Sequence, residues 1–297
     1  MTPAPRILVI GDVMIDIAAL LEGPIAIGSD RRAKIFERPG GSAATQAVWL
    51  ARFGVAVDFV AKVGASDRAR ESERLSRAGV EPHLAGDSYF ETGRLIAIVE
   101  SSGERSFLTD RGANDALEGA DIPDALIARA DFIHLSGYSF FSQNPRLAMR
   151  SVMRRAGARP VSVDAASAEF LREAGAANFL EWTKGAAMLF PNADEAGVLT
   201  GTDDPRAQGG RLAELYPLVV IKRGAAGCEA WAGVEHWRIA APDAQVVDST
   251  GAGDAFVAAF LAARLKGETM ETSLQKAVAA GSAATECVGG RPINREC

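Results

Sequence analysis

The chain has 297 residues, 48% of them hydrophobic and 24% charged, with a formal net charge of −6. That composition builds a globular core, while the acidic balance argues against nucleic acid or an anionic membrane surface as the main partner, because both demand concentrated basic residues. Three cysteines (Cys228, Cys287, Cys297) without C-x-x-C spacing fit a reducing compartment. No apolar run approaches the ~18–20 residues of a membrane span, and the N-terminal RILVI is too short for a signal segment, so the chain reads as cytoplasmic.

RILVIGDVMID opens with a continuous apolar run closed by Gly11 and Asp12, the pattern of a buried strand in a parallel sheet, with Asp12 and Asp16 at its site-side end. IAALLEGPIAIGSDRRAKIFERPGG then breaks at Gly23, Pro24, Gly28 and Pro39 into short extended pieces and reads as a small antiparallel flap. SAATQAVWLARFG predicts a helix stopped at Gly54, VDFVAKVG a strand, and DRARESERLSRAG an amphipathic helix stopped at Gly79. GRLIAIVESSGERSFLTD predicts two more flap strands joined at Ser102 and Gly103. Further on, the buried strands DFIHLSG, PVSVD, AAMLFPN and PLVVIKRG alternate with helical stretches, and two helices follow, from Ala252 and near Met270. Repeated βα units imply the α/β class, a doubly wound, mainly parallel sheet with helices on both faces. Residues 1–297 are expected to form a single domain, with lid strands from about 15–38 and 93–110 inserted over the substrate site.

Several chemistries are absent by inspection. None of the lysines at 34, 62, 184, 222, 266 and 276 precedes Ser or Thr, so no G-x-x-x-x-G-K-[ST] loop exists. Phe256 stands where a dinucleotide fingerprint places its third glycine, and there is no G-x-S-x-G elbow. His83, His134 and His236 are far apart and support isolated histidines over a zinc site.

VVDSTGAGDAFVAAFLA, from Val246 to Ala262, places Gly251 and Gly253 just before an apolar helix. Glycines let consecutive N–H groups converge, and the helix adds unpaired N–H groups and its positive dipole end, which makes an anion hole suited to phosphate. Beside such a hole, Asp254 has two readings: a general base that takes a hydroxyl proton during phosphoryl transfer, or a carboxylate capping the helix.

DSTGAGDAF closely resembles the C-terminal signature of the ribokinase-like, or PfkB, family of carbohydrate and nucleoside kinases. The resemblance runs along the whole chain in order. GGSAATQAVWLARFG (Gly40 to Gly54) is similar to the family's glycine pair and helix, Asp16 in GDVMID to its substrate aspartate, NADE (Asn192 to Glu195) to its N-x-x-E element, and KRGAAG (Lys222 to Gly227) to its nucleotide loop. The resemblance implies ATP-dependent phosphorylation of a polyol hydroxyl, with Asp254 as base and the N–H groups of Gly251, Ala252 and Gly253 stabilising the transferring phosphoryl group. The substrate would lie on Gly40 and Gly41, held by Asp16, Asp12 and Thr45. Asn192, Glu195, Lys222, Gly224 and Gly227 would serve the nucleotide, with Glu195 meeting Mg²⁺ through water. Read from the residues alone, Asn192 and Glu195 are equally a helix capping box, and KRGAAG a plain turn.

By the same similarity, Asp248 and the Thr250 carbonyl, with carbonyls of ATECVGG (Ala284 to Gly290), would bind a monovalent cation, K⁺, although Ile293 stands about where cation-binding members offer a serine. Thr45 replaces an asparagine of many members. The favoured acceptor is an unphosphorylated sugar of the ribose, fructose or keto-deoxy acid type, with a nucleoside as the alternative. A phosphosugar would use Arg31, Arg32, Lys34, Arg38, Arg94 and Arg105 near the flap, and a nucleoside would use an aromatic platform among Phe36, Phe107, Tyr138, Phe140 and Phe141. A non-catalytic binding protein on the same fold remains a third reading. The flap's open edge makes a homodimer surface, as in family members that pair through it.

Overall fold

The computed structural model describes residues 5–25, 27–100, 105–286 and 289–292. Among the described residues the strands are β1 (Arg6–Ile10), β2 (Met14–Leu21), β3 (Ala33–Gly40), β4 (Ala56–Gly64), β5 (Glu81–Asp87), β6 (Thr92–Val99), β7 (Arg105–Gly112), β8 (Phe132–Leu135), β9 (Val161–Asp164), β10 (Met188–Phe190), β11 (Leu218–Lys222), β12 (Cys228–Ala232) and β13 (Glu235–Ile239). The helices are α1 (Ser42–Arg52), α2 (Arg68–Arg77), α3 (Asp124–Arg129), α4 (Gln143–Arg155), α5 (Ala168–Ala174), α6 (Ala176–Trp182), α7 (Ala193–Thr200), α8 (Pro205–Ala213), α9 (Ala252–Leu265) and α10 (Met270–Thr285).

The large sheet runs in the order β13-β12-β11-β10-β9-β8-β1-β4-β5. From β11 to β5 every pairing is parallel, and the β11–β12 and β12–β13 pairings at one edge are antiparallel. Helices cover both faces because β1 is apolar on both: Ile7 and Val9 enter one core with α1, α9 and α10, while Leu8 and Ile10 enter the other with α4, α6 and α8. Each such fully buried side chain stabilises the fold by roughly 1.5–3 kcal/mol. After β1 the chain builds outward to β4 and β5, then returns to pair β8 on the other side of β1. The crevice at the carboxyl ends of β1 and β8 is therefore the topological switch point where an open α/β sheet receives ligands.

The sequence concealed two parts of this sheet. Pro82 and Gly86 weaken the pattern of β5, which survives because it is an edge strand. The β12–β13 hairpin turns through Gly233 at φ 59°, without alternation strong enough to announce it.

A second sheet has the order β3-β2-β6-β7. The antiparallel flap expected from the sequence is corrected to a mixed sheet, because β2 and β6 pair in parallel. Both leave the same edge of the large sheet, β2 directly after β1 and β6 directly after β5, so they point away from it in the same direction. The Ser102–Gly103 connection lies outside the described residues. Period-two alternation gives the second sheet two faces. Asp16, Ala18 and Leu20 share one with Leu95, Ala97 and Val99; Ile17 and Ala19 share the other with Ile96 and Ile98.

Among the described residues no helix is long and apolar enough to cross a membrane.

Candidate active site

The glycine pair joins β3 to α1 at the switch point. A side chain on Gly40 would collide with the Asp16 carboxylate, and one on Gly41, at φ 93°, would put its Cβ 2.6 Å from the Asp12 carbonyl oxygen. Glycine is required here by close approach of Asp16 and the β1–β2 backbone as much as by any ligand. Gly41→Ala is therefore expected to destabilise the fold by ~1–3 kcal/mol, read as a lower denaturation midpoint with an unchanged m-value.

Asp12 and Asp16, grouped together by sequence, are separated by their bonding. Asp12 is buried, and its oxygens accept from the backbone N–H groups of Ser42 (3.1 Å) and Ala43 (3.3 Å) and from Ser136 Oγ (3.0 Å). It caps the start of α1, with Arg111 3.6 Å away. Asp16, among the described residues, accepts no hydrogen bond from the protein and lines a cavity of about 320 Å³ between the second sheet and Asp248, Thr250 and Gly289 to Arg291. Burial pushes its carboxyl up to about 6, opposed by the charge of Arg291 and reinforced by Asp12. Arg291 donates to the Gly40 carbonyl, and its own Nε is buried without a partner. Thr45 is buried in α1 and does not line this cavity.

The cavity also takes Phe36, Phe107 and Arg38 from the second sheet. The other candidate aromatics pack away from it: Phe140 against Phe179, Phe141 against Phe170 and Phe179, and Tyr138 against Phe170 and beneath Arg111.

The second glycine turn leads into α9 with Gly251 in the left-handed region at φ 76°, where a side chain would collide with Gly290. The Ala252 N–H is not a free donor, because it bonds the Ser249 carbonyl at 3.3 Å. In this turn the N–H groups of Gly251, Gly253 and Asp254 have no intramolecular partner among the described residues. Of the expected Gly251–Ala252–Gly253 set, Gly251 and Gly253 keep their N–H groups unbonded, and Asp254 adds a third.

Asp254 stands at the junction of α1 and α9. Its Oδ1 accepts from Ser42 Oγ at 2.6 Å and from Gln46 Nε2 at 3.0 Å, while Oδ2 accepts nothing from the protein among the described residues. Burial is the main cause that pushes this carboxyl up to about 8; Asp164 and Asp12 add to the rise, and Ser42 and Lys222 oppose it.

Lys222 ends β11, but its ammonium lies beside the α9 entry turn: Asp164 Oδ1 holds it at 3.1 Å, and a Cβ on Gly253 would be 3.6 Å away. Burial opposes its charge, yet Asp164 and Glu195 raise its pKa and keep it cationic. On the far side a cavity of about 420 Å³ is lined by Lys222, Gly224, Gly227, Gly253, Phe256 and Gly281, among others. Gly227, at φ 88°, has no room for a side chain against the Ile239 carbonyl. The α9 entry turn contributes Asp248 and Thr250 to the first cavity and Ser249, Ala252 and Gly253 to the second, so it stands between them.

Asn192 and Glu195 form the capping box of α7. Asn192 Oδ1 accepts from the Glu195 N–H (2.8 Å), and the two Glu195 oxygens accept from the Asn192 N–H (2.7 Å) and Nδ2 (2.8 Å). Burial pushes the Glu195 carboxyl up to about 7. With both oxygens engaged, this residue fits a magnesium ion carried by nucleotide phosphates only through water. At the other turn, Asp248 Oδ1 accepts from the Thr250 N–H (3.0 Å) and Oγ1 (2.7 Å), and Oδ2 from the Gly289 N–H (3.0 Å). These donors make Asp248 an organiser of the turn. Of the residues expected to close a cage for a monovalent cation, Cys287 and Val288 lie outside the described residues, as does Ile293. Among the described residues the metal-compatible cluster is Asp58, Glu81 and His83, on the opposite side of the sheet and bound by Arg6 and Arg129.

Ser42, Gln46, Asp164, His134 and Arg291 were not singled out by sequence. The one available signal was Gln46, an amide on an otherwise apolar stretch of a buried helix.

The model of the pfkB family carbohydrate kinase matches residues 4–297. An ATP-dependent ribose-1-phosphate kinase of Halopiger xanaduensis is 30% identical over 274 residues, 91% of this chain and 86% of that one. The structure of adenosine kinase from Sinorhizobium meliloti superposes with a TM-score of 0.88 at 25% identity, over 98% of this chain and 96% of that one. Arabidopsis thaliana ribokinase complexed with ribose and ATP superposes with a TM-score of 0.82 at 25% identity, over 96% and 94%.

Proposed function

This chain belongs to the pfkB family of carbohydrate kinases, phosphotransferases with an alcohol acceptor, and on that premise we propose that it moves the γ-phosphoryl group of ATP to a hydroxyl of a small sugar. The observation that carries the reading is the α9 entry turn standing between two cavities, with an unbonded carboxylate oxygen of Asp254 next to free N–H donors. In this reading the sugar occupies the cavity of Asp16, and the nucleotide the cavity of Gly224 and Gly227. Asp254 Oδ2 takes the hydroxyl proton, the sugar oxygen forms a bond to the γ-phosphorus, and the bond from that phosphorus to the β–γ bridging oxygen breaks to release ADP. Free N–H groups of Gly251, Gly253 and Asp254, together with Lys222, stabilise the charge on the group in transit. Magnesium bound to the nucleotide would neutralise its phosphate oxygens, with Glu195 oriented toward it through water.

A second acceptor class has its own support. The lid strands present Phe36, Leu95, Ala97 and Phe107 beyond Asp16, which suits the flat apolar base of a nucleoside, as in the adenosine kinase it resembles. Arg38 and Arg291 line the same cavity, so ribose 1-phosphate also belongs among the acceptors tried. We place this chemistry in the cytoplasm, where ATP is plentiful and the buried Cys228 stays a thiol.

ADP release is measured with ATP and magnesium on free pentoses, hexoses, keto-deoxy acids, nucleosides and ribose 1-phosphate. Turnover on a free sugar is expected. Turnover confined to nucleosides selects the second reading, and no turnover on any acceptor overturns the catalytic one.

The lid's outer face suits a second copy of this chain. Ile96 pairs directly with Leu108 across strands, and Ile35, Ile96 and Leu108 are 68%, 36% and 57% exposed. Sedimentation is expected to give a dimer that Leu108→Asp dissociates; a wild-type monomer overturns this reading.

A further inference from the structure

Gln46 lies one helical turn after Ser42, fully buried, and the phosphoryl-transfer scheme leaves it without a role. Its Nε2 is 3.0 Å from Asp254 Oδ1 and 3.0 Å from Asp164 Oδ2, and its Oε1 is 2.7 Å from His134 Nε2. A side-chain amide has two N–H bonds, and here each meets a different carboxylate. Turned over, the amide would aim its carbonyl oxygen at two anions.

The two carboxylates exclude that reversal, and His134 meets the orientation they set. It is completely buried in β8, with Nδ1 2.7 Å from Ser162 Oγ in β9. Burial pushes its pKa down to about 4, so the ring is neutral and carries a single N–H. Gln46 Oε1 can only accept, which assigns that proton to Nε2 and makes Nδ1 the acceptor for the Ser162 hydroxyl. A directional chain results: Ser162 donates to His134, His134 to Gln46, and Gln46 to both carboxylates. Asp164 in turn holds Lys222 beside the α9 entry turn.

We propose that Gln46, whose orientation the two carboxylates fix and His134 completes, is the positioning residue that aims the Asp254 carboxylate and couples it to the Asp164–Lys222 pair. The proposal rests on Asp254 being the base. The groups facing that carboxylate are Ser42 and Gln46 from α1, Asp12 after β1, Tyr138 after β8, Asp164 ending β9 and Lys222 ending β11. Of these, Ser42 and Gln46 donate hydrogen bonds to it, and Gln46 is the one that also binds Asp164.

The experiment compares pH profiles of kcat/KM for wild type, Gln46→Leu and the nearly isosteric Gln46→Glu in the full chain, with circular dichroism to show that each variant is folded. Losing a donor to an ionised carboxylate is expected to lower kcat by about 10–100-fold with KM for ATP within about threefold, and to move the acidic limb up by about one pH unit. Gln46→Glu is expected to move the limb the same way, and it tests the idea alone if Gln46→Leu does not fold. In an Asp254→Asn background, Gln46→Leu is expected to cost less than about threefold more, because a residue acting through Asp254 has nothing left to position. An unmoved limb in the folded variant, or full additivity with Asp254→Asn, overturns the proposal. An Asp254→Asn chain as active as wild type instead overturns the base assignment beneath it.

Discussion

Asp254→Asn is expected to lower kcat by roughly 10²–10⁴-fold, the contribution of a positioned general base, with KM for ATP changed only a few-fold. Asparagine keeps the acceptor oxygen for Ser42 and Gln46 and loses only the capacity to take a proton, so steady-state kinetics isolate the chemical step. The pH dependence follows from the same carboxyl. Burial, reinforced by Asp164 and Asp12, raises it from 3.8 to about 8, and the base acts only when ionised. Wild-type kcat/KM should therefore climb with pH and level off above about 8.

The stability effect has the opposite sign. Between the unfolded value near 3.8 and the folded value of about 8, the unfolded chain is ionised while the folded chain still holds the proton, so this carboxyl costs the fold stability as pH rises through that window. Asp254→Asn removes the cost. Its melting temperature should exceed that of wild type, by more at pH 8 than at pH 5. Wild-type turnover in a folded Asp254→Asn chain would show that the base lies elsewhere.

Asp16→Ala is the second large effect. The Asp16 carboxylate lines the lid cavity with no protein donor bound to it among the described residues, so its bonds are available to acceptor hydroxyls. Two hydrogen bonds to a charged group, at roughly 1.5–3 kcal/mol each, correspond to a loss of about 10²–10⁴ in kcat/KM for the acceptor. On the proposed reading KM for ATP should stay unchanged, since Asp16 does not line the cavity of Gly224 and Gly227. Its carboxyl sits at about 6, and acceptor binding should weaken as pH falls through that value, because protonation turns one acceptor oxygen into a donor. An acceptor KM indifferent to both Asp16→Ala and pH would move the sugar out of this cavity.

Both effects concern residues that stood out in the sequence, and the reason is local. Asp254 follows a glycine turn and Asp16 an apolar strand that ends in Gly11 and Asp12, patterns written in a few consecutive residues. Gly41 and Gly251 adopt positive φ, and the apolar runs that became β1, β8, β9 and β11 have lengths and flanks that need no distant partner to be recognised.

Roles that depend on distant partners were less legible. Asp12 and Asp16 look equivalent in GDVMID, yet Asp12 is consumed by the start of α1, while Asp16 faces the cavity. NADE reads equally as a metal element and a capping box, and its bonding is that of the box. The parallel β2–β6 pair depends on residues 79 positions apart, such as Asp16 and Leu95, leaving one sheet edge together, a relation that no short stretch contains.

By itself, then, the sequence determined the α/β architecture, the two glycine turns and the carboxylates beside them, because periodicity and turn chemistry act over a few residues. Tertiary structure alone decided which N–H groups remain free at the α9 turn, that Lys222 reaches that turn, and that Ser42, Gln46 and Asp164 gather around Asp254 with His134 behind Gln46. Those contacts join residues as far as 212 positions apart, and they come into being only when the parallel strands bring their carboxyl ends to one edge.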